Sequence, residues 1–324
     1  MQLRRLGNGP LSVSELSFGT WLTAAGGVER ERAIRCIHAA FDHGITSFDT
    51  ANEYGHGEAE RVLGEALSAI PRDQVFVATK LFFPMDDEND KGLSATQIEK
   101  QLNRSLERLQ MDYVDLYYCH RWDKETPLDE TMEALHHAIQ AGKVRSIGVS
   151  EWTGEQIDQA AQIATENGFT AFTASQPQYS MLWRRPEAKV FTACARHGVG
   201  NIVFSPLAHG VLTGKYRPGQ PPPPDSRAAN EQMNRYMETA GRHYRSDYLL
   251  TAVDALRPIA ADLGVTMAQM ALAWVLRRTE VASAIIGASR PEQIADNVQA
   301  LGIPLPEEVL QKIDAILKEV TVWE

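Results

Sequence analysis

The sequence predicts an α/β fold, a (β/α)8 TIM barrel with extra C-terminal helices and a long loop after strand seven. Three observations lead to this prediction: eight short apolar runs, amphipathic segments in most of the gaps between them, and a length of 324 residues. Each β-then-α unit buries its helix against the sheet, so eight units favour a closed parallel barrel. The length is ordinary for one barrel, and we expect residues 1–324 to form a single domain.

The predicted strands are short apolar runs with many β-branched and aromatic residues. In chain order they cover 16–19, 45–49, 74–80, 113–120, 144–150, 169–175, 201–205 and 282–287. The helical pattern is clear in 29–44, where Ala33, Ile37 and Ala40 share one face and Gly44 ends the segment. The same spacing recurs in 57–70, 95–109, 129–142 and 154–168.

The alternation is interrupted once, by residues 217–247 after the seventh strand. Four successive prolines, 221–224, exclude helix and sheet pairing there. Such a loop is either a lid over a ligand or a surface excursion. The lid is favoured, because the loop follows the seventh strand at the carboxyl end of the barrel, where parallel barrels place their chemistry. Helical patterns then resume at 248–264, 266–278, 291–302 and 307–320, which is two helices more than eight units require.

Composition narrows the class of protein. With 44% hydrophobic and 23% charged residues the chain is typical of soluble globular proteins, and a net charge of −10 argues against a nucleic-acid partner. No run approaches the roughly 18 apolar residues of a membrane span, and the N-terminus lacks the apolar core of a signal peptide. Cys36, Cys119 and Cys194 have no metal-ligand spacing, so we expect reduced thiols in a cytoplasmic protein.

Four residues suited to proton transfer stand at the ends of successive predicted strands. Asp49, Lys80 and His120 each close a strand, and Tyr54 follows Asp49 by five residues. A parallel barrel places its chemistry at this rim. Tyrosine, with a pKa of about 10, is a poor proton source at neutral pH, and a nearby ammonium lowers that pKa and makes the phenol a usable general acid. This set suits reduction of an aldehyde or ketone by a hydride donor.

Taken singly, these residues have more ordinary interpretations. An aspartate at the end of a strand, such as Asp49, is usually a helix cap or turn residue. A lone lysine or tyrosine there, such as Lys80 or Tyr54, is usually a solvated rim residue, and a lone histidine such as His120 is usually structural. The four together, each in its strand context, favour a site. Cys119 adjoins His120, but side chains alternate along a strand, so its thiol is expected to point away.

The chain resembles the aldo-keto reductases along nearly its whole length. The motifs are FGTW (18–21), FDTANEYGHGEAERVLGEAL (48–67), VATK (77–80), DLYYCH (115–120), GKVRSIGVSEW (142–152) and IIGASRPEQIADNV (285–298). They occur in the order found in that family. FSPLAHGVLTGKY (204–216), QPQYSMLWR (176–184) and TWLTAAGG (20–27) are similar to the branch that contains potassium-channel β subunits and their bacterial relatives.

The resemblance implies an NADPH-dependent carbonyl reductase. In it, Tyr54 is the general acid, Lys80 lowers the pKa of Tyr54, Asp49 pairs with Lys80, and His120 orients the carbonyl. Animal channel β subunits usually have Asn at the last position, so His120 favours a full reductase site. No G-x-G-x-x-G follows a strand, so the phosphate turn of a Rossmann fold is missing.

GASRPEQ after strand eight offers another phosphate site, because a helix N-terminus presents free N–H groups to an anion. Gly287 permits close approach, Ser289 can cap the helix or bind phosphate, and Pro291 suits a first turn; an ordinary helix start is the alternative. The cofactor residues implied by the resemblance are Thr20, Trp21, Asp49, Ser150, Gln176, Phe204, Ser205, Pro206, Leu207, Lys215, Gly287, Ser289, Arg290, Gln293 and Asn297.

Within that set the resemblance gives particular roles. Gln293 and Asn297 lie near the adenine, Ser289 and Arg290 near the 2′-phosphate, and Lys215 near the pyrophosphate. Ser150 and Gln176 hold the carboxamide, and Phe204 stacks on the nicotinamide. Glu151 departs from the family, because channel β subunits have Arg there and an inward carboxylate would repel a phosphate.

Rim aromatic residues predict an apolar pocket for a small carbonyl substrate. The pocket residues are Trp21, Tyr54, Phe83, His120 and Trp122, with Phe82 beside them. One alternative function is a redox-sensing regulatory subunit that binds NADPH tightly and docks on a partner. A metal-dependent barrel enzyme is disfavoured, because His136 and His137 fall in one helical segment and no ligand set converges. A homo-oligomer is left open, and no membrane span is expected.

Overall fold

The computed structural model describes residues 1–24, 28–238 and 243–323, and within them eight parallel strands close into a barrel. An antiparallel hairpin comes first, with strands β1 (Leu3–Arg5) and β2 (Ser12–Ser14). The barrel strands are β3 (Leu16–Gly19), β4 (Ser47–Asp49), β5 (Phe76–Leu81), β6 (Leu116–Cys119), β7 (Ile147–Ser150), β8 (Ala174–Gln176), β9 (Gly200–Val203) and β10 (Val281–Ile286). Each strand pairs with the next and β10 pairs with β3, which confirms the predicted (β/α)8 barrel.

The helices pack outside the barrel and close the predicted β-then-α units. They are α1 (Arg30–Asp42), α2 (Glu58–Leu67), α3 (Ala95–Leu109), α4 (Leu128–Gln140), α5 (Gly154–Asn167), α6 (Val190–His197), α7 (Glu231–Asn234), α8 (Asp247–Asp254), α9 (Arg257–Asp262), α10 (Met267–Leu276), α11 (Pro291–Val298) and α12 (Glu307–Leu317). Thr153 and Thr266 begin α5 and α10 with capping boxes. Within the described residues no single helix could cross a membrane by length and apolarity; α8–α9 and α10 reach that composition only as a pair bent by 89°.

Side chains on the barrel strands alternate between two cores. Phe76 and Ala78 of β5 pack in the barrel interior, whereas Val77 and Leu81 pack outside, against the helices. Lys80 therefore shares the interior face at the carboxyl end of β5, because the period of a strand is two. The same alternation sends Tyr118 inward and Cys119 outward, so the side chain of Cys119 does point away from the active face.

The hairpin and one strand position differ from the sequence-based prediction. Leu6 and Val13 belong to the interior cluster, so the hairpin, which was not predicted, covers one end of the barrel. The predicted strand 169–175 is wrong in its bounds, since β8 covers Ala174–Gln176. Phe172, in the earlier part of that apolar run, packs outside the barrel against Trp152.

The long segment after β9 contains short helices rather than one continuous loop. The prolines 221–224 have neither helix nor strand, as predicted, but α7 and single 3₁₀ turns at Arg227–Ala229 and Arg235–Met237 follow them. Residues 239–242 of this predicted loop, and residues 25–27 of the TWLTAAGG motif, lie outside the described residues.

Candidate active site

At the carboxyl end of the barrel, the Lys80 ammonium joins three oxygen atoms. Its Nζ donates to Asp49 Oδ1 at 2.6 Å, to the Thr50 carbonyl at 2.7 Å and to the Tyr54 hydroxyl oxygen at 3.2 Å. An ammonium has three N–H donors and no acceptor, so these bonds use its whole capacity. The Tyr54 oxygen therefore accepts from Lys80, and its own O–H remains to donate to another molecule.

The backbone around β4 and β5 fixes this arrangement. The N–H groups of Thr50 and Asn52 donate to the carbonyls of Ala78 and Lys80 at 2.9 and 3.1 Å, which extends the pairing of β4 with β5 beyond the strands. The short segment that carries Tyr54 is thereby held against β5. On the other side, the Thr20 N–H donates to the Asp49 carbonyl at 2.9 Å. Lys80 is fully buried, so water does not compete for these bonds.

Gln176 completes the surroundings of Asp49. Its Nε2 donates to Asp49 Oδ2 at 2.8 Å, and the Ser150 hydroxyl donates to the Gln176 carbonyl at 3.0 Å. Both carboxylate oxygens of Asp49 are thus engaged. The sequence placed Ser150 and Gln176 at this rim, but the bond from Gln176 to Asp49 was missed, because 127 residues separate the two.

His120 lies on the other side of Tyr54. Its ring is 5.8 Å from the Tyr54 ring and 5.1 Å from the Phe83 ring, both edge-on. Its backbone N–H donates to the Leu81 carbonyl at 2.9 Å, which ties the end of β6 to β5. The Nδ1 atom is 3.6 Å from Oε1 of Glu53, a residue that the sequence reasoning did not select.

Burial shifts the pKa values of Tyr54, Lys80 and His120. It raises the pKa of Tyr54 well above its ordinary value, and the carboxylates of Asp49 and Glu53 act in the same direction. Arg121 acts in the opposite direction. The lowering of the Tyr54 pKa by Lys80, which the resemblance implies, stays a prediction. Burial also lowers the pKa of Lys80, against the influence of Asp49. Burial, Lys80 and Arg121 lower the pKa of His120 well below its ordinary value, so its imidazole is neutral.

The predicted pocket aromatics divide into two groups. Phe83 lies against His120, as described, and the guanidinium of Arg121 lies 5.4 Å from the centroid of the Phe83 ring. Trp122 packs edge-on against Trp152 with ring centroids 4.6 Å apart. Trp21 instead contacts the segment after β9: the Tyr236 ring is 5.0 Å away, edge-on, and the Arg227 guanidinium lies 5.3 Å over its face. The Arg227 and Tyr236 contacts were not predicted.

The start of α11 combines open space at Gly287 with a side-chain cap from Gln293. Gly287 is exposed, and a Cβ built on it would meet only the Gly19 carbonyl oxygen, at 3.9 Å, so the space in front of it is open. The Gln293 side chain accepts from the backbone N–H groups of Ser289 at 2.8 Å and Arg290 at 3.3 Å. Gln293 therefore caps the helix, and Asn297 lies buried one turn further along.

Three cations, Lys215, Arg227 and Arg290, form what we call the rim cluster. Desolvation and the neighbouring Arg227 lower the pKa of Lys215, and Arg290 acts in the same direction. Asp225 opposes them, and its carboxylate is 3.8 Å from an Arg290 nitrogen. A cluster with excess positive charge fits a phosphate-bearing ligand better than a neutral one.

The residues that follow β9 have an unusual backbone. Phe204 packs on the interior core, Ser205 and Leu207 are half-buried, and Pro206 is buried. Ser205, Ala208 and His209 have φ values of 54°, 46° and 57°, in the left-handed region that residues other than glycine rarely occupy. Such strain is frequent where a backbone shapes a ligand site.

Glu151 does not face the rim cluster as a free carboxylate. Its Oε1 accepts from the backbone N–H of Gln178 at 2.7 Å, and its own φ is 57°. No group of three or more His, Cys, Asp or Glu side chains suited to a metal ion occurs among the residues that the structure describes. His136 and His137 lie on α4, outside the barrel.

The fold and the site define a class: a parallel barrel whose carboxyl-end rim holds a buried carboxylate, ammonium, phenol and neutral imidazole. The chain belongs to the aldo/keto reductase family, whose model matches residues 15–318. Relatives named probable voltage-gated potassium channel subunit beta, from Oryza sativa subsp. japonica and Arabidopsis thaliana, are each 40% identical over 323 residues, covering 98% of this chain and 97% of theirs. A putative voltage-gated potassium channel subunit beta of Schizosaccharomyces pombe is 38% identical over 324 residues, covering 97% of this chain and 92% of the relative. The predicted family and branch are confirmed.

Proposed function

We propose that the protein reduces small aldehydes or ketones to alcohols with NADPH. The observation that carries this proposal is the Lys80 ammonium, whose three donors are shared between Asp49, Thr50 and Tyr54. NADPH, when bound, supplies a hydride to the carbonyl carbon. The chain's own residues then have to supply a proton to the carbonyl oxygen and hold that oxygen in place.

Tyr54 is the proton donor in this proposal. Its raised pKa keeps the proton on the phenol at neutral pH, so the proton leaves only when negative charge develops on a nearby oxygen. Lys80, 3.2 Å from the phenol oxygen, stabilises the tyrosinate as it forms. Asp49 and the Thr50 carbonyl hold Lys80 in place, and neutral His120 offers one N–H to the carbonyl oxygen.

The rim cluster and the start of α11 would hold NADPH. Arg290 and Ser289 are suited to the 2′-phosphate, since a guanidinium and a hydroxyl both donate to phosphate oxygens. Lys215 would face the pyrophosphate. Ser150 and Gln176 would hold the carboxamide of the nicotinamide. Phe83 and Trp122 would line an apolar pocket for a substrate.

We place the activity in the cytoplasm, because Cys36, Cys119 and Cys194 are buried free thiols.

A second candidate function follows from the relatives' names. A regulatory subunit that binds NADPH tightly and turns over slowly would use the same cofactor residues and dock on a partner protein. His120 favours the reductase, since the resemblance implies that animal channel β subunits usually have Asn at this position.

NADPH oxidation at neutral pH against a panel of uncharged aldehydes, with NADH in parallel, separates the two. The reductase proposal expects turnover with at least one aldehyde and faster turnover with NADPH than with NADH. Submicromolar NADPH binding without turnover on any aldehyde would contradict it and support the regulatory subunit.

A further inference from the structure

Glu53, the residue before Tyr54, faces His120 across the barrel mouth. Its Oε1 is 3.6 Å from His120 Nδ1, and that nitrogen is fully buried without a hydrogen-bond partner among the described residues. A buried polar atom without a hydrogen-bond partner is energetically unfavourable. Shortening this separation to a normal hydrogen bond needs a movement of roughly 0.7 Å. The geometry therefore pairs Glu53 with the buried ring nitrogen of His120, Nδ1.

We propose that Glu53 is a positioning residue that decides which ring nitrogen of His120 carries the proton. The proposal rests on the reductase function proposed above, in which His120 donates an N–H to the carbonyl oxygen. A neutral imidazole has one N–H and one bare nitrogen. Whichever nitrogen faces Glu53, the other is the one left for the substrate.

The pair has two relevant proton counts. With a proton shared between Glu53 Oε1 and Nδ1, the second proton stays on Nε2, which can then donate to the carbonyl oxygen. With one proton fewer, the Glu53 carboxylate takes the Nδ1–H as its donor. Nε2 is then bare, and its lone pair repels the oxygen. The two groups titrate as a unit, so the change belongs to the pair.

The charged and titratable groups around Glu53 come from three strand ends and its own loop. Burial raises the pKa of Glu53. The carboxylate is favoured, in the opposite direction, by Arg121 after β6, Lys80 of β5 and His56 of the loop. Asp49 of β4 and Tyr54 complete the surroundings, and the pKa of Tyr54 is raised well above its ordinary value. Tyr54 therefore keeps its proton while the pair titrates. Burial lowers the pKa of Lys80, so a comparison with a Glu53 variant in which Lys80 is unchanged isolates the pH dependence of the pair.

Kinetics of Glu53→Gln test the proposal. The variant is close to isosteric and does not titrate. Under the proposal its amide N–H donates to Nδ1 at every pH, which leaves the proton on Nε2. With 4-nitrobenzaldehyde and saturating NADPH from pH 5 to 9, we expect kcat/KM of wild type to fall with rising pH by up to about tenfold per unit. The variant should stay flat, so its ratio to wild type should rise with pH and exceed one at the alkaline end.

Glu58→Gln is the matched control. It removes the same charge from the neighbouring turn, but Glu58 is half-exposed on α2 and pairs with Arg30 and Arg61. Its pH profile should follow wild type. A Glu53→Gln profile that runs parallel to wild type, lower by a constant factor, would overturn the proposal, because a structural role produces that result.

Histidine-selective ¹⁵N NMR of the full chain without cofactor supplies a readout that needs no turnover. The His120 signal is assigned by its loss in His120→Asn. We expect wild type to change from the Nε2–H to the Nδ1–H tautomer as pH rises, and Glu53→Gln to remain Nε2–H. The same tautomer in both proteins at every pH would overturn the proposal. A tautomer change in a protein that reduces no aldehyde would instead contradict the reductase function alone.

Glu53→Met covers the case in which Glu53→Gln does not fold. Its side chain has similar length and neither donates to His120 nor titrates, so the pH-dependent change of tautomer should disappear. Persistence of that change in Glu53→Met would assign it to another group and overturn the role of Glu53.

Discussion

The barrel mouth and the rim cluster are held in very different ways. In the mouth, Asp49, Lys80 and Tyr54 are linked by bonds of 2.6 and 3.2 Å around a fully buried ammonium. At the rim, Arg290 and Asp225 are 3.8 Å apart, with side chains 57% and 76% exposed. A buried network keeps its geometry whether or not a ligand is present, whereas exposed charges contribute little until a ligand excludes water. The barrel mouth is therefore preorganised, and the rim cluster is adaptable.

The largest effect is expected from removing the centre of the buried network. Lys80→Met should lower kcat/KM by about 10³-fold, because the tyrosinate loses its neighbouring cation. The same change leaves Asp49 buried without its ion-pair partner, so the free energy of unfolding should fall by about 3–5 kcal/mol. Aldehyde reduction and chemical denaturation measure the two effects.

Asp49→Asn in the Lys80→Met background is the control. The neutral amide removes the uncompensated carboxylate, so stability should return in part while activity should not. Wild-type stability in Lys80→Met alone would show that the ion pair does not hold the mouth together.

A smaller effect is expected at the rim. Arg290→Ala should weaken NADPH binding by about tenfold and leave NADH binding unchanged, because only NADPH carries the 2′-phosphate. Fluorescence titration of both cofactors measures this. Arg196→Ala, at a similarly exposed arginine on α6, should change neither. Equal losses for NADPH and NADH would remove Arg290 from the 2′-phosphate.

The smallest effect concerns Asp225, which competes with a phosphate for Arg290. Asp225→Asn should tighten NADPH binding by up to about fivefold at low salt, since an exposed pair contributes at most about 1 kcal/mol. The gain should shrink as salt is raised. Unchanged affinity at low salt would show that Asp225 is no competitor.

Deleting part of 219–229 should speed cofactor release if this segment is a lid. Stopped-flow displacement measures the release rate, and an unchanged rate would make the segment a surface excursion.

The barrel could be predicted from the sequence because its signals are local. Each β-then-α unit carries its own apolar run and helical period, and a parallel barrel follows from their repetition. The hairpin of β1 and β2 was missed, because three-residue strands are too short to show a period. The bounds of β8 were misplaced because Phe169 and Phe172 extend the apolar run, although Phe172 belongs to the outer core.

The site could be predicted only as far as strand ends reveal it. Asp49, Lys80 and His120 each close or follow a strand, so their convergence follows from the fold. The bond from Gln176 to Asp49 joins two distant strands and has no local signal. The effect of burial on the Tyr54 pKa also has no local signal, because it depends on how completely the folded chain excludes water. Glu53 was missed because its partner, His120, lies 67 positions further along the chain.

The central claim is that Tyr54 is the proton donor held by Lys80, and Tyr54→Phe tests it most directly. Single-turnover reduction of 4-nitrobenzaldehyde would be measured beside the dissociation constant of NADPH. The account expects the rate to fall by about 10²- to 10⁴-fold with cofactor affinity close to wild type, because only the hydroxyl is removed. A Tyr54→Phe enzyme that reduces the aldehyde at the wild-type rate would contradict the account.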